Sequence, residues 1–316
     1  MKKRILLVMV LAGILCLSAC TNQTLEDAKT AVDEYNTELA EYSQKIAPYN
    51  EAVGKLEEAN QSIEDAIDQA QAVIDKGEEP FDPETLTTLK ETMAEADKAK
   101  VAIPDRLPEY ESMKVDEEAK NDALKDLTKK ANEDKEAMES CKIPETPQIP
   151  DVSGTVKKMN KARGKYEDSI QGLKQITAPS DDFIKDRIQK IKSITSIMAV
   201  TEDHDPNGLL NKQGGYIGCT YYTDKRVDRS ELYIEDGKDN PIDVGTEGGG
   251  AIEVFNTKEE AEARDSYLSG FDAFAGGSGS HRVYGTIIIR TSQHLKASLQ
   301  EEMTEKILKK LLKVEK

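Results

Sequence analysis

The amino-acid sequence predicts an α-helical bundle or coiled coil in the N-terminal half, followed by a small α+β domain of about four strands covered by helices. Three observations carry this: apolar residues spaced by three and four from Leu25 to Ile74, β-rich runs that begin only after residue 198, and a composition too charged for one large core. Of 316 residues, 43 are Lys or Arg and 60 are Asp or Glu, giving a formal charge of −17; hydrophobic residues make up 37% and aromatics 5%, with no Trp. Such a chain suits small domains and long solvated helices. Its charge repels phosphate backbones, so nucleic acid is not expected as a partner.

The first helix follows from Leu25, Ala28, Val32, Tyr35, Leu39, Tyr42, Ile46, Tyr49, Val53, Leu56, Asn60, Ile63, Ile67, Ala70 and Ile74, a heptad seam with polar residues elsewhere. Tyr35, Tyr42 and Tyr49 stand one heptad apart and read as seam residues rather than a stacking platform. Pro48 removes a backbone donor and predicts a kink or break near Ala47. Gly77 closes the helix. Asp82 and Pro83 then open a second helix as N-cap and first residue. Its stripe runs through Leu86, Leu89, Met93, Ala96 and Ile103 until Pro104 and Pro108 interrupt. A third helix is expected over 109–140, carrying Leu124, Leu127, Ala131 and Met138. Short connectors favour antiparallel helices within one chain, hence a monomer. Asn60 on the seam also suits register control in a parallel dimer.

Pro144, Pro147 and Pro150 predict a stiff linker over 143–153. A connecting helix follows to 176, and Ser180 caps another that runs on through Ile194. Strands are expected at 199–201, 216–223, 251–255 and 283–290, the last a single central strand with Val283, Ile287 and Ile289 on one face and Tyr284 and Ile288 on the other. Thr257 with Glu260, and Ser298 with Glu301, have capping-box spacing and open two further helices. The expected organisation is a leader at 1–19, a helical stalk at 20–142, the linker, a connecting helix at 154–176 and the α+β module at 177–316.

The N-terminus places Lys2, Lys3 and Arg4 before an apolar run at 5–17 and ends on Leu17-Ser18-Ala19-Cys20. That is a secretory signal, too short to span a bilayer. Its end resembles a bacterial lipobox. The resemblance implies a diacylglyceryl group on Cys20, the lipid bilayer as a partner and a location on the extracytoplasmic face of the cell membrane, where two acyl chains give stable anchorage. Further on, Ile63-Glu64-Asp65-Ala66-Ile67-Asp68-Gln69-Ala70 and Phe81-Asp82-Pro83-Glu84-Thr85, with Leu89 and Ala96, resemble the FIVAR-type three-helix modules of bacterial surface proteins over about 51–140. This implies a wall- or surface-associated spacer. From about 177 to 312, six fragments resemble in one order a C-terminal module of Gram-positive lipoproteins and membrane proteins: Val200-Thr201-Glu202-Asp203, Asp205-Pro206-Asn207-Gly208, Gly214-Gly215-Tyr216, Gly250-Ala251-Ile252-Glu253-Val254, Gly279-Ser280-His281 and Arg290-Thr291-Ser292. No activity is implied by it.

Candidate chemistry centres on Asp203, Asp205 and Asn207, which have the spacing of the first half of an EF-hand loop. Gly214 stands where the twelfth-position Glu belongs and Pro206 is the fourth residue, so calcium binding here would be weak. The same residues fit an Asp-Pro-Asn-Gly turn. Cys141 and Cys219 remain once Cys16 leaves with the leader and Cys20 takes lipid; an exported protein permits a bridge between them. Cys219 shares a strand face with Ile217 and Tyr221 and reads as a small core residue, so two independent thiols are expected. His204, His281 and His294 form no zinc spacing, the glycines at 245–250 lack the Lys of a phosphate loop, and no Gly-x-Ser-x-Gly elbow occurs. No catalytic residue and no cofactor beyond weak calcium is expected. The sequence thus points to a membrane-anchored, non-catalytic lipoprotein that displays a binding module on a helical spacer to a cell-wall or surface-protein partner. A cell-wall-modifying enzyme or hydrolase, and a coiled-coil scaffolding protein, are the other classes that fit.

Overall fold

In the computed structural model, described for the backbone of residues 2–272 and 278–315 and for side chains from Gln23 onward, helix α1 (Lys2–Ile74) is followed by α2 (Glu84–Lys98), α3 (Asn121–Ser140) and α4 (Ser153–Gln175). The leader's side chains and the acylation of Cys20 lie outside the described residues. Among the described residues no helix is long and apolar enough to cross a membrane. The chain forms two compact units, 1–65 with 97–155 and 66–96 with 156–316. This differs from the stalk, linker and module boundaries expected from the sequence. The end of α1 and α2 up to Ala96 join most of α4 and the sheet, and the span 51–140 is divided between the two units.

In the first unit, α1 buries Ala31, Val32, Tyr35, Leu39, Tyr42 and Ile46 against Ala131 and Met138 of α3. It runs through Pro48 without the expected break. Pro48 and Gln44, whose carbonyl the proline leaves without a helical donor, are both exposed, so water can satisfy that carbonyl. The third helix begins at Asn121 rather than near 109, and residues 101–115 form no helix or strand. Pro104 and Pro108 remove donors from this stretch, and α1 supplies it with other partners.

Those partners form a ladder. Asn36, Asn50 and Asn60 each accept a backbone N–H and donate to the carbonyl of the same residue: Met113 at 3.0 and 2.9 Å, Leu107 at 2.9 and 3.0 Å, and Val101 at 3.0 and 2.7 Å. Between them the buried phenols of Tyr35, Tyr42 and Tyr49 donate to the carbonyls of Glu111, Pro108 and Asp105. The extended segment therefore runs antiparallel to α1, held by side chains where a sheet would use a neighbouring strand. The lengths agree: 24 helical steps from Asn36 to Asn60 rise about 36 Å, and the 12 steps from Val101 to Met113 cover about 37 Å in a polyproline-like conformation. Asn60, read from the sequence as a dimer-register residue, spends its amide within the chain.

The second unit takes in the end of α1, from Ala66, and Gly77 then turns the chain at φ +64°. Asp82 caps α2 through the N–H of Glu84, as expected. The α2 connector is tied to α4 by Phe81 N–H to the Ser169 carbonyl and by Tyr166 to the Glu78 carbonyl. Ser180 caps α5 (Asp181–Ile188), which stops short of the expected end because Ile194 already opens strand β1 (Ile194–Ala199). Then come β2 (Gly218–Asp224), α6 (Pro241–Val244), β3 (Gly249–Val254), α7 (Lys258–Ser269), β4 (His281–Tyr284), β5 (Ile287–Thr291) and α8 (Ala297–Leu312). Thr257 caps α7. Ser298 lies inside α8, which has no side-chain cap.

Five antiparallel strands in the order β1-β2-β3-β5-β4 make one sheet, one more than expected. The extra strand arises because 283–290 is a hairpin rather than a single strand. Gly285, at φ +56°, reverses the chain between Tyr284 and Ile287, which then pair. Both faces of the central strands β2, β3 and β5 are buried. Ile252, Val254, Ile287 and Ile289 pack with α5 and α8 through Ile184, Ile188, Met303, Ile307 and Leu311. On the other face Cys219, Tyr221, Ala251 and Ile288 meet Ile242 of α6 and Ala261 of α7. Ile217 packs with the first of these clusters, opposite Cys219 and Tyr221, because it precedes the strand. Gly250 admits the Tyr222 ring: a Cβ there would lie 2.3 Å from Oη of Tyr222 and 2.1 Å from the Arg290 carbonyl oxygen.

Candidate functional site

The loop between β1 and β2 holds the three residues singled out as calcium ligands, and it folds around one of them. Oδ1 of Asp205 accepts from the Asn207 N–H at 3.1 Å and from Tyr216 Oη at 2.5 Å, and Oδ2 accepts from the Leu210 N–H at 2.7 Å. Asn207 turns inward and donates to Tyr221 Oη at 3.0 Å. Gly208 follows at φ +60° with its N–H on the Asp205 carbonyl, so the Asp-Pro-Asn-Gly residues make a turn. Burial works against the Asp205 charge, but the bonds from Tyr216 and the backbone outweigh it and hold the carboxyl below its usual range. Burial pushes the Tyr216 phenol far up. Asp203 is exposed and takes no part in this network. A calcium ion at Asp205 would have to displace the Tyr216 hydroxyl and the Leu210 N–H from the carboxylate. Among the described residues no group of three or more His, Cys, Asp or Glu is placed to hold a metal ion.

Beside this loop, under α7, lies a polar cluster that sequence reasoning missed. Glu253 is fully buried in β3; Arg264 of α7 donates to both its oxygens, Nε at 2.8 Å and Nη2 at 3.1 Å, and Arg290 of β5 adds Nη1 at 2.8 Å. Burial opposes the Glu253 charge, yet the two guanidinium groups hold its carboxyl below the ordinary value. The available signal was a Glu between Ile252 and Val254 in a buried strand, which demands a cation on the same face. His281 is clasped in the same layer, Nδ1 at 2.6 Å from Asp265 and Nε2 at 3.2 Å from Asp272. With carboxylates on both ring nitrogens, neither is left to take a proton from a nucleophile.

Among the described residues Cys141 and Cys219 are free thiols. Cys219 sits in the core of the second unit, where burial and then Glu253 push its thiol well up, so it is no ready nucleophile. Cys141 is half-buried at the end of α3 and receives the Tyr42 hydroxyl at 3.6 Å. Taken together, the loop, the Glu253 cluster and His281 couple segments of the unit to one another; Asp205, Glu253, Arg264 and His281 are each committed to internal partners, while Nε of Arg290 is buried without one among the described residues. No protein-family model, no curated protein and no solved structure matches this chain.

Proposed function

We propose that this protein is a lipid-anchored lipoprotein of the extracytoplasmic face of the cell membrane, where it displays a non-catalytic α+β binding unit. The observation that carries the anchor is the leader ending on Leu17-Ser18-Ala19-Cys20. The helical unit supports a spacer role, since α1 from Gln23 to Asp65 alone rises on the order of 65 Å. Its tyrosine and asparagine seam is occupied by the chain's own segment 101–113, which favours a monomer over a coiled-coil scaffold. Binding is favoured over hydrolysis because the histidine and carboxylates gathered on the α7 side of the sheet hold one another rather than converge on open space.

The test is metabolic labelling with radioactive palmitate in a bacterium that processes lipoproteins. The full chain is expected to take label and sediment with membranes, and Cys20→Ala is expected to lose both properties. Unlabelled full-length protein in the cytosol, with the leader uncut, would overturn the assignment.

A further inference from the structure

We propose that a basic cleft in the second unit binds the phosphoryl group of a small phosphate ester or of free phosphate. The cleft encloses about 480 Å³, within the range of small-ligand sites. Its walls come from three places: the turn 190–193 ahead of β1, residues 225–226 behind β2, and Glu302, Lys306 and Lys310, which repeat every four residues along α8. The first two walls are pinned together by the Lys225 N–H on the Ser193 carbonyl at 3.0 Å. In a chain of charge −17, six of the nine lining residues are cationic and one is acidic.

The charges do not cancel. Lys190 is paired with Glu315, Lys306 with Glu302, and Arg226 is gripped by Asp224 and Glu302. Lys192, Lys225 and Lys310 have no ion-pair partner among the described residues. The last turn of α8 accounts for a lysine at 310; Lys225 belongs to no helix. A second observation points the same way. Ser193 lines the cleft, is only 8% exposed, and its hydroxyl has no hydrogen-bond partner among the described residues. A buried donor left open is costly unless something fills it.

One unsatisfied hydroxyl and three uncompensated ammonium groups, drawn from separate segments, call for a ligand that accepts from several directions. A phosphoryl group offers three terminal oxygens, whereas a carboxylate offers two. Bare phosphate leaves most of the volume empty, and Ile191 with the lysine stems supplies an apolar wall for the remainder of an ester. A nucleic acid is disfavoured by the acidity of the rest of the chain. This site deepens the binding-module reading by naming where and what the unit binds.

The test is calorimetric titration of the full chain in non-ionic detergent with inorganic phosphate, glycerol 3-phosphate and, at matched ionic strength, chloride. One saturable site is expected for a phosphate probe and none for chloride. Tighter binding of the ester assigns the cleft to esterified phosphate, and tighter binding of the inorganic ion assigns it to free phosphate. Lys192→Gln with Lys225→Gln should weaken binding about tenfold or more, and Ser193→Ala about threefold. Ser193→Ala removes the unsatisfied group and should fold at least as well as the parent, so it tests the site without risk to the fold. The charge-matched pair Lys309→Gln with Lys313→Gln, outside the cleft, should stay within about twofold. No saturable heat with either phosphate probe, or equal weakening by the outside pair, would overturn the site. Palmitate labelling is untouched by that outcome, so failure of the cleft and failure of the anchor are told apart.

Discussion

The two units solve one problem by different means. Extended backbone must find partners for its N–H and carbonyl groups. In the second unit β2, β3 and β5 find them in neighbouring strands, and the side chains are left free to build two apolar layers. In the first unit the segment 101–113 has no strand beside it, and asparagine amides and tyrosine hydroxyls of α1 do the bonding. The comparison teaches that an amphipathic seam need not pair with another seam. A helix with polar reach at the right spacing can bind extended chain along its length.

The difference can be broken from either side. The largest effect is expected from Gly250→Ala, whose Cβ has no room beneath Tyr222 and the Arg290 carbonyl. It should destabilise the second unit by about 3 kcal/mol, read as a fall in the denaturation midpoint with faster amide exchange at Ile252. Exchange at Leu107 and Met113 should not change if the units differ as described. Next comes the ladder. Asn50→Ala removes a donor and an acceptor from Leu107 and should cost about 2 kcal/mol, while Tyr42→Phe, which deletes one hydroxyl, should cost about 1 kcal/mol. Replacing Asn36, Asn50 and Asn60 together should free the 101–113 amides to exchange while α1 and α3 keep their helical signal. Loss of that helical signal would show that the segment is part of the helices' own stability.

Acid should give the smallest and most selective effect. Asp205 and Glu253 are held below their ordinary values near 3.8 and 4.5. Their contribution is therefore complete above those values and is lost as pH falls through the lower folded ones. The asparagine rungs do not titrate. Lowering the pH should accelerate exchange at Leu210, whose N–H rests on Asp205, before it affects Leu107, and Asp205→Asn should remove that pH dependence.

Much of this was legible in the sequence where a pattern repeats. The seam of α1, the caps at Asp82, Ser180 and Thr257 and the strand around Cys219 follow from period and turn chemistry. The stretch 109–120 was expected to open the third helix, but no apolar stripe was read there; its Tyr110 and Met113 pack with the α1 core from extended chain. The hairpin at Gly285 was hidden because 283–290 reads as one apolar run; the turn reverses the expected faces, so Val283 packs with Ile288, and Tyr284 with Ile287 and Ile289. The calcium spacing was real as a pattern, yet Tyr216, eleven residues beyond Asp205, takes the carboxylate, and no local rule places that ring. Glu253 meets Arg290 only through the pairing of β3 with β5, and Arg264, eleven residues on, only through the packing of α7 on the sheet.

The ladder also sets a gear ratio. Each residue of the return segment spans about two residues of α1, since one rises about 3.1 Å and the other about 1.5 Å. Shortening α1 by a heptad between Asn36 and Asn60 would demand the loss of three or four residues between Val101 and Met113 to keep the rungs engaged. An insertion on one track alone would throw every later rung out of step, so lengths in this part of the molecule should change in matched pairs of unequal size.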